Sequence, residues 1–203
     1  MLAAAYDLAL MRTGALITPG MSEAELRAVE TRYEFTFARE HRLMLSLALP
    51  LDPVQEQARP LWPNWRQPDT HLNEQVARPV HGLLGAVRRE RLWLDEWPPM
   101  PSSTDDAVAL AKELLASAPR LVPVRGFVYL PGAEWAVREP LVSVYEEDVY
   151  VFDDDLLTWL EQQCRLGAGT HCGQPLHSLA LWSAVMQLPA RAGLSTTGTA
   201  VPG

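Results

Sequence analysis

Four side chains near the carboxyl terminus are of the types that bind zinc. Cys164, His171, Cys172 and His177 lie within fourteen residues of one another, and thiolate and imidazole groups are the donors that zinc prefers in a tetrahedral site. Their spacing matches no zinc knuckle or ribbon, and adjacent residues such as His171 and Cys172 are poorly placed to chelate one ion together. We therefore expect no metal here, and the alternative is a cysteine at a helix end followed by a loose tail.

Three consecutive carboxylates are the second candidate for chemistry. Asp153, Asp154 and Asp155 have the side chains that glycoside hydrolysis or metal-assisted hydrolysis would use. However, Asp153 or Asp154 is also placed to cap a helix that begins just after it, and the N-cap position favours aspartate. A run of acidic residues is usually a solvated surface, so we prefer the capping role.

The local motifs of hydrolases and nucleotide-binding proteins are missing from the sequence. No serine has the flanking glycines of a nucleophile elbow, and no glycine is followed by the Lys-Ser or Lys-Thr pair of a phosphate-binding loop. Gly167 and Gly169 are followed by Gly173, one residue too late for the dinucleotide fingerprint. The sequence therefore predicts a protein that is not an enzyme and that needs no cofactor.

Acidic residues are concentrated in one segment of the chain. From Glu134 to Glu161 there are nine acidic residues and one basic residue, Arg138, so this segment carries a charge of −8, which equals the net charge of the whole chain. Such a field repels nucleic acid and anionic membranes and attracts basic proteins. We therefore expect a protein partner, and neither a nucleic acid nor a membrane.

Aromatic side chains close to this charge, or in a proline-rich loop, are candidate anchors for the partner. Trp62 and Trp65 lie between Pro50 and His71, where prolines recur, and Tyr145 directly precedes an acidic turn. Order in the loop is expected, because two exposed indoles so close together would be unfavourable in water. The predicted contact residues are Trp62, Trp65, Tyr145, Glu146, Glu147, Asp148, Asp153 and Asp154.

Composition indicates one domain in a reducing compartment. A chain of 203 residues with 48% apolar content can close a hydrophobic core without disulfides or a structural metal. Two cysteines are too few for a disulfide scaffold. No apolar stretch approaches the roughly 20 residues of a membrane span, and the amino terminus lacks the basic leader of a secretory signal. We expect a cytoplasmic protein.

Helical periodicity predicts five helices. The firmest is Glu23–Tyr33, because Ser22 and Glu25 form the capping box in which each side chain bonds the other residue's backbone N–H. Thr104 is expected to cap a later helix that Pro119 ends. The other three are predicted over Met1–Arg12, over Arg39–Leu49 and after Asp154.

Period-2 alternation predicts strands in two parts of the chain. Val80–Val87 and Arg91–Asp95 are expected to form a hairpin around Arg88-Arg89-Glu90. Farther along, two short strands are expected, with Pro123 in an edge strand because proline cannot donate to a ladder, followed by a second hairpin. The predicted strands of this second part are Leu121–Val124, Gly126–Leu130, Leu141–Tyr145 and Val149–Phe152.

Several stretches are similar to one known family. Met21–Leu26 with Glu30 is similar to an opening helix of that family, and Gly82–Leu84 leading to Leu92–Trp97 is similar to a strand pair. The family's later helix and hairpins are matched by Leu114–Pro119, Leu121–Gly126, Tyr129–Pro131 and Pro140–Tyr145. From about Thr18 to Gln163 the chain thus resembles the bacterial branch of the SUKH superfamily. It departs from the family pattern at Phe127, where histidine is frequent, and at Arg138-Glu139, where Gly-Asn is frequent.

The resemblance implies an α+β fold in which a twisted, mainly antiparallel sheet packs against helices, with a groove for protein partners and no reaction. The family includes a yeast regulator of cell-wall assembly and bacterial immunity proteins. We therefore expect an immunity protein that neutralises a toxin through a basic toxin domain, or a related partner-binding protein. The alternatives are a cytoplasmic regulator or scaffold of the same fold, and a metal-assisted hydrolase.

The expected domain covers residues 1–163, with the helix of residues 1–13 as an optional addition to it. Residues 164–203 are expected to form a carboxyl-terminal extension. The end of this extension, Ser195–Gly203, has few large apolar residues, and such a composition is typical of disordered segments.

Overall fold

The structure is a computed structural model that describes residues 2–53, 60–95, 97–116, 120–132, 141–145, 148–153 and 155–166. The helices among these residues are α1 (Leu2–Arg12), α2 (Glu23–Tyr33), α3 (Arg39–Leu47), α4 (Thr70–Arg88), α5 (Thr104–Ala116) and α6 (Leu156–Leu166). The strands are β1 (Leu16–Pro19), β2 (Ala48–Leu51), β3 (Leu121–Arg125), β4 (Val128–Pro131), β5 (Leu141–Tyr145) and β6 (Asp148–Asp153). Every strand pairing between them is antiparallel, so the predicted α+β class is confirmed.

The larger sheet has four strands in the order β3-β4-β5-β6, so each strand pairs with its neighbour in the chain. The predicted hairpin of Leu141–Tyr145 and Val149–Phe152 is confirmed as β5 and β6. The two short strands predicted before it are present as β3 and β4, which also pair as a hairpin, and Pro123 lies in β3 at one edge of the four-stranded sheet. A second, two-stranded sheet pairs β1 with β2.

Each face of the larger sheet packs on its own group of helices. Val122 and Leu130 belong to a cluster of buried residues from α1, α2, α3 and α6. Their neighbours Leu121 and Tyr129 belong to a second cluster with α4 and α5. Successive side chains of a strand point to opposite faces. Nearly every residue of β3, β4 and β5 is therefore buried, because side chains on both faces are covered.

The capping box of α2 is confirmed. The Glu25 backbone N–H donates to the Ser22 Oγ over 3.3 Å, and the Ser22 backbone N–H donates to the Glu25 carboxylate over 2.7 Å. The Arg66 guanidinium donates to the same carboxylate over 2.7 Å. These bonds lower the pKa of Glu25 to about 2, with the Arg66 bond as the largest cause.

The amino-terminal helix is part of the core. Tyr6, Ala9 and Leu10 of α1 are buried in the same cluster as residues of α3 and α6, and α1 lies against both of these helices. The helix predicted over Met1–Arg12 is confirmed from Leu2 onward.

The predicted hairpin of Val80–Val87 and Arg91–Asp95 is wrong. Val80–Val87 lies inside α4, a helix of 19 residues that Asp69 caps by accepting the Leu72 N–H over 2.8 Å. Arg91–Asp95 forms no strand. The buried side chains Leu83, Ala86 and Val87 recur at helical spacing. Gly82, Gly85 and the preceding Pro79 are unfavourable in helices. The local sequence therefore does not predict this helix.

Other boundaries differ from prediction by a few residues. The helix expected over Arg39–Leu49 ends at Leu47, and the chain continues as strand β2, which the sequence did not predict. Ser103, not Thr104, caps α5 by accepting the Asp106 N–H over 3.4 Å. Asp155 caps α6 by accepting the Thr158 N–H over 2.7 Å, which corrects the choice of Asp153 or Asp154.

Among the described helices, none combines the length and apolar character needed to cross a bilayer. The predicted carboxyl-terminal extension, residues 164–203, lies outside the described residues beyond Leu166.

Candidate protein-binding surface

Two exposed aromatic side chains meet at one end of the larger sheet. The Phe127 and Tyr145 rings have centroids 5.0 Å apart and are inclined by 75°, an edge-to-face arrangement. Phe127 is 38% exposed and Tyr145 is 54% exposed. The other aromatic side chains whose burial the structure describes are buried or half-buried, so this aromatic pair is a distinct apolar feature of the surface.

The position of Phe127 is fixed by a tight turn. Gly126 and Phe127 form the two-residue connection between β3 and β4, since Arg125 pairs with Val128 across the hairpin. Gly126 has a φ of 58°, which glycine adopts without the steric penalty of a side chain. A bulky residue at the tip of such a turn has no core to enter. Phe127 is therefore directed outward.

Three backbone interactions hold this turn in place. The Gly126 N–H donates to the Leu61 carbonyl over 2.7 Å, and the Arg78 guanidinium donates to the Gly126 carbonyl over 3.2 Å. The Phe127 carbonyl accepts the Val144 N–H over 2.9 Å. Because Val144 precedes Tyr145, this last bond sets the distance between the two rings.

Arg78 also packs against the aromatic pair. Its guanidinium carbon lies 4.8 Å from the centroid of the Phe127 ring, within the range of a cation–π interaction. The side chain thus connects α4 to the turn through both charge and stacking. The aromatic pair rests on a rigid support.

The aromatic pair borders an open groove along α4 with a volume of about 460 Å³. One face of the helix forms the rest of its lining, since the residues recur at intervals of three and four positions. Gly85 places no side chain in the groove, and a Cβ at this position would lie 3.3 Å from an Arg89 guanidinium nitrogen. The residues of α4 and its end that line the groove are Glu74, Arg78, His81, Gly82, Gly85 and Arg89.

The predicted acidic contact residues do not all lie together. Asp148 is paired with Tyr145 across the β5–β6 hairpin, whereas Asp153 is paired with Leu141 at the far end of the strand. Five residues of extended strand separate the two by about 17 Å. Glu146, Glu147 and Asp154 lie outside the described residues. Of the predicted set, Tyr145 and Asp148 therefore share the end of the hairpin.

Trp62 and Trp65 lie in the core, which corrects their assignment to the contact surface. They are 3% and 2% exposed. Trp65 contacts the rings of Phe35 and Phe37 edge-to-face, with centroids 5.9 and 5.3 Å away. The Trp62 backbone N–H donates to an Asp52 carboxylate oxygen over 2.7 Å. The order expected for this part of the loop is present, and burial of the indoles provides it.

The described residues provide little for catalysis or metal binding. Among them, no three His, Cys, Asp or Glu side chains come together as a metal site. Of the zinc-type residues noted in the sequence, Cys164 lies in α6, and His171, Cys172 and His177 lie outside the described residues. Burial lowers the pKa of His41 to about 3 and raises that of Tyr129 to about 12, but both side chains are in the core.

Comparison with models of protein families, with curated proteins and with solved structures found no match to this chain. The resemblance to the SUKH superfamily therefore rests on the sequence stretches alone. One of those stretches, Gly82–Leu84 with Leu92–Trp97, does not form the strand pair that the resemblance implies, because Gly82–Leu84 is helical.

Sequence reasoning missed two residues of this surface. The prediction places Phe127 inside a strand over Gly126–Leu130, which is wrong at its start, because β4 begins at Val128 and Gly126 and Phe127 form the turn before it. Arg78 precedes the stretch that was predicted as a strand. Its role follows only from the packing of α4 against the β3–β4 turn.

Proposed function

We propose that this is a cytoplasmic, non-enzymatic protein that binds another protein, with a contact surface centred on Phe127, Tyr145 and the end of the β5–β6 hairpin. The observation that supports this most directly is the exposed aromatic pair on a rigid turn. Aromatic residues are enriched among the side chains that dominate binding energy at protein interfaces.

The support of the turn favours binding. Ordering a side chain at an interface costs roughly 0.5–1.5 kcal/mol when the side chain is mobile before association. Phe127 is already held between Arg78 and Tyr145, so less conformational freedom remains to be lost. The pair is thus preorganised for contact.

The charge of the neighbouring sequence favours a basic partner. Tyr145 is followed directly by Glu146, Glu147 and Asp148, and Asp148 is the β6 residue paired with it. Acidic residues beside an aromatic anchor increase the rate of association with a positively charged surface and make that rate sensitive to salt. Affinity would then come chiefly from the aromatic contacts.

The finer proposal is that the partner is a bacterial toxin and that the chain is its immunity protein. Its support is the resemblance to the SUKH superfamily, together with the acidic segment, since a toxin that acts on nucleic acid needs a basic substrate site. A regulator or scaffold would use the same surface on a different partner. A toxin gene beside the gene for this chain, and rescue of growth when the two are expressed together, would favour immunity.

The test of binding is an affinity pull-down of the tagged full chain from a lysate of its source cells at low and high salt, read by mass spectrometry. A variant with Glu146→Lys, Glu147→Lys and Asp148→Lys is compared with a control of equal charge change, Asp7→Lys, Asp95→Lys and Glu113→Lys. We expect a basic protein that is lost at high salt and with the first variant only. Equal losses with both variants would show an effect of net charge, and no loss with either would contradict the surface assignment.

A further inference from the structure

A second cavity lies along another face of α4 and shares only His81 with the lining of the groove described above. It has a volume of about 360 Å³ and opens between the end of α2, the middle of α4, the end of α5 and the start of β3. Cavities of about 300 to 1,000 Å³ are the usual size for small-molecule sites. The cavity is therefore large enough for a small ligand.

The wall of the cavity is apolar. Five aliphatic residues from three elements form it, and two of them, Leu115 and Leu121, are buried members of the core beneath. An apolar ligand body placed here would lose water from its surface at a gain of about 25 cal/mol per Å². The aliphatic lining residues are Val76, Ala77, Val80, Leu115 and Leu121.

The mouth of the cavity carries more basic than acidic groups. Arg32, Arg120 and His81 line it together with one carboxylate, Glu34. The Arg120–Glu34 ion pair is 3.4 Å long, and its side chains are 49% and 79% exposed, so it is a weak surface pair that a competing anion can replace.

The floor of the mouth is organised by a hydrogen bond between side chains. The Tyr33 hydroxyl donates to the Asn73 side-chain oxygen over 2.8 Å, which joins the end of α2 to the first turn of α4. The Arg32 guanidinium carbon lies 5.6 Å from the Tyr33 ring centroid. The hydrogen bond thereby holds the end of α2, which carries Arg32, against α4.

We propose that this cavity binds a small amphipathic carboxylate, with its apolar body against Val80 and Leu115 and its carboxylate at Arg120 and Arg32. A ligand that is wholly apolar would gain nothing from the two arginines, and a wholly polar anion would leave the aliphatic wall in water. The combination of both features in one cavity selects a molecule that has both. This proposal does not depend on the protein-binding function.

The test uses decanoate as the probe and decanol as its neutral counterpart, each titrated into the full chain and followed by the backbone amide shifts of α4 in NMR spectra. Arg120→Gln removes the anion contact. Arg88→Gln is the matched control, because Arg88 also forms an exposed ion pair, with Asp105 over 3.3 Å, on the helix surface. Ala77→Trp fills the cavity.

We expect saturable shifts at Val76, Ala77 and Val80 with decanoate and at least tenfold weaker binding of decanol. Arg120→Gln should raise the Kd for decanoate about fivefold, the upper range for an exposed charge pair, while Arg88→Gln leaves it within twofold. Equal binding of decanol, an unchanged Kd in Arg120→Gln, shifts confined to other surfaces, or no saturable shift would each overturn the proposal. If Ala77→Trp does not fold, the arginine pair of variants still decides the question.

Discussion

The buried Tyr129 hydroxyl donates a hydrogen bond to the backbone carbonyl of Gln75 over 3.2 Å. Gln75 lies four residues before Pro79 in α4, and proline has no N–H to donate to that carbonyl. A carbonyl that is buried without a partner destabilises the folded state. The tyrosine of β4 therefore supplies the bond that the helix cannot make, and it joins the sheet to the helix that supports the candidate surface.

Removing the Tyr129 hydroxyl should destabilise the protein. We expect Tyr129→Phe to lower the free energy of unfolding by roughly 1–2 kcal/mol, measured by urea denaturation. In a Pro79→Ala background the helix regains an N–H for the Gln75 carbonyl, so the same substitution should have a smaller effect in a double-mutant cycle. An identical effect in both backgrounds would show that the proline and the tyrosine are not coupled.

His41 should make the folded state sensitive to acid. It is buried against Phe37, with ring centroids 5.1 Å apart, and its Nδ1 has no hydrogen-bond partner among the described residues. Burial lowers its pKa from 6.5 to about 3, so the fold favours the neutral ring. The contribution of the neutral His41 ring to the unfolding free energy is complete above pH 6.5 and is lost as the pH falls toward 3. At pH 4 the unfolding free energy is lower by roughly 3 kcal/mol for this reason.

The check is urea denaturation between pH 7 and pH 4. His41→Phe should reduce the dependence of the unfolding free energy on pH in this range, whereas the exposed control His81→Gln should keep the wild-type dependence. The interpretation fails if His41→Phe keeps the full slope.

Local sequence signals predicted the elements that short-range features define, such as a helix cap or a turn. The capping box of Ser22 and Glu25 located the start of α2, and short alternating runs between turn residues located β3 to β6. The same reasoning failed for α4, because Gly82 and Gly85 are poor helix formers and Val80 and Val87 also suit strands. Burial of one face of this helix against α5 and the sheet outweighs those preferences.

The candidate surface could be predicted only in part, because contacts between distant parts of the chain form it. Tyr145 could be named from its place before an acidic turn. Its partner Phe127 is brought to it by the bond between the Phe127 carbonyl and the Val144 N–H, which depends on the pairing of β4 with β5. Trp62 and Trp65 were assigned to the surface because no local pattern shows that both are buried, with the rings of Phe35 and Phe37 packed against Trp65.

Gly20 should be intolerant of any side chain. A Cβ at this position would lie 2.0 Å from the Ser46 carbonyl oxygen and 2.8 Å from the Leu47 carbonyl carbon, both backbone atoms that cannot move aside. We expect Gly20→Ala to prevent folding or to reduce the thermal midpoint severely. Gly14→Ala is the comparison, since a Cβ there meets nothing within 4 Å and only its φ of +76° is unfavourable, at a cost of about 1 kcal/mol. Equal midpoints for the two variants would contradict the close approach.

The tryptophan of the core and the tyrosine of the surface should differ in their effect on stability. Trp65→Ala leaves a large void among Tyr33, Phe35 and Phe37 and should cost roughly 3–5 kcal/mol. Tyr145→Ala loses an exposed ring contact and should cost less than about 1.5 kcal/mol. Urea denaturation of both variants checks this. A larger loss for Tyr145→Ala would place Tyr145 in the core and refute its role as an exposed anchor.

Calorimetric titration with the partner captured in the pull-down measures how much Phe127 and Tyr145 contribute to its binding. The double variant Phe127→Ala, Tyr145→Ala is compared with Leu8→Ala, Met11→Ala, which removes two exposed apolar side chains of α1 and leaves the aromatic pair intact. We predict a Kd at least about 100-fold higher for the first variant, as expected for loss of interface anchors, and a Kd within threefold of wild type for the second. An unchanged Kd for the aromatic variant would contradict the proposed surface.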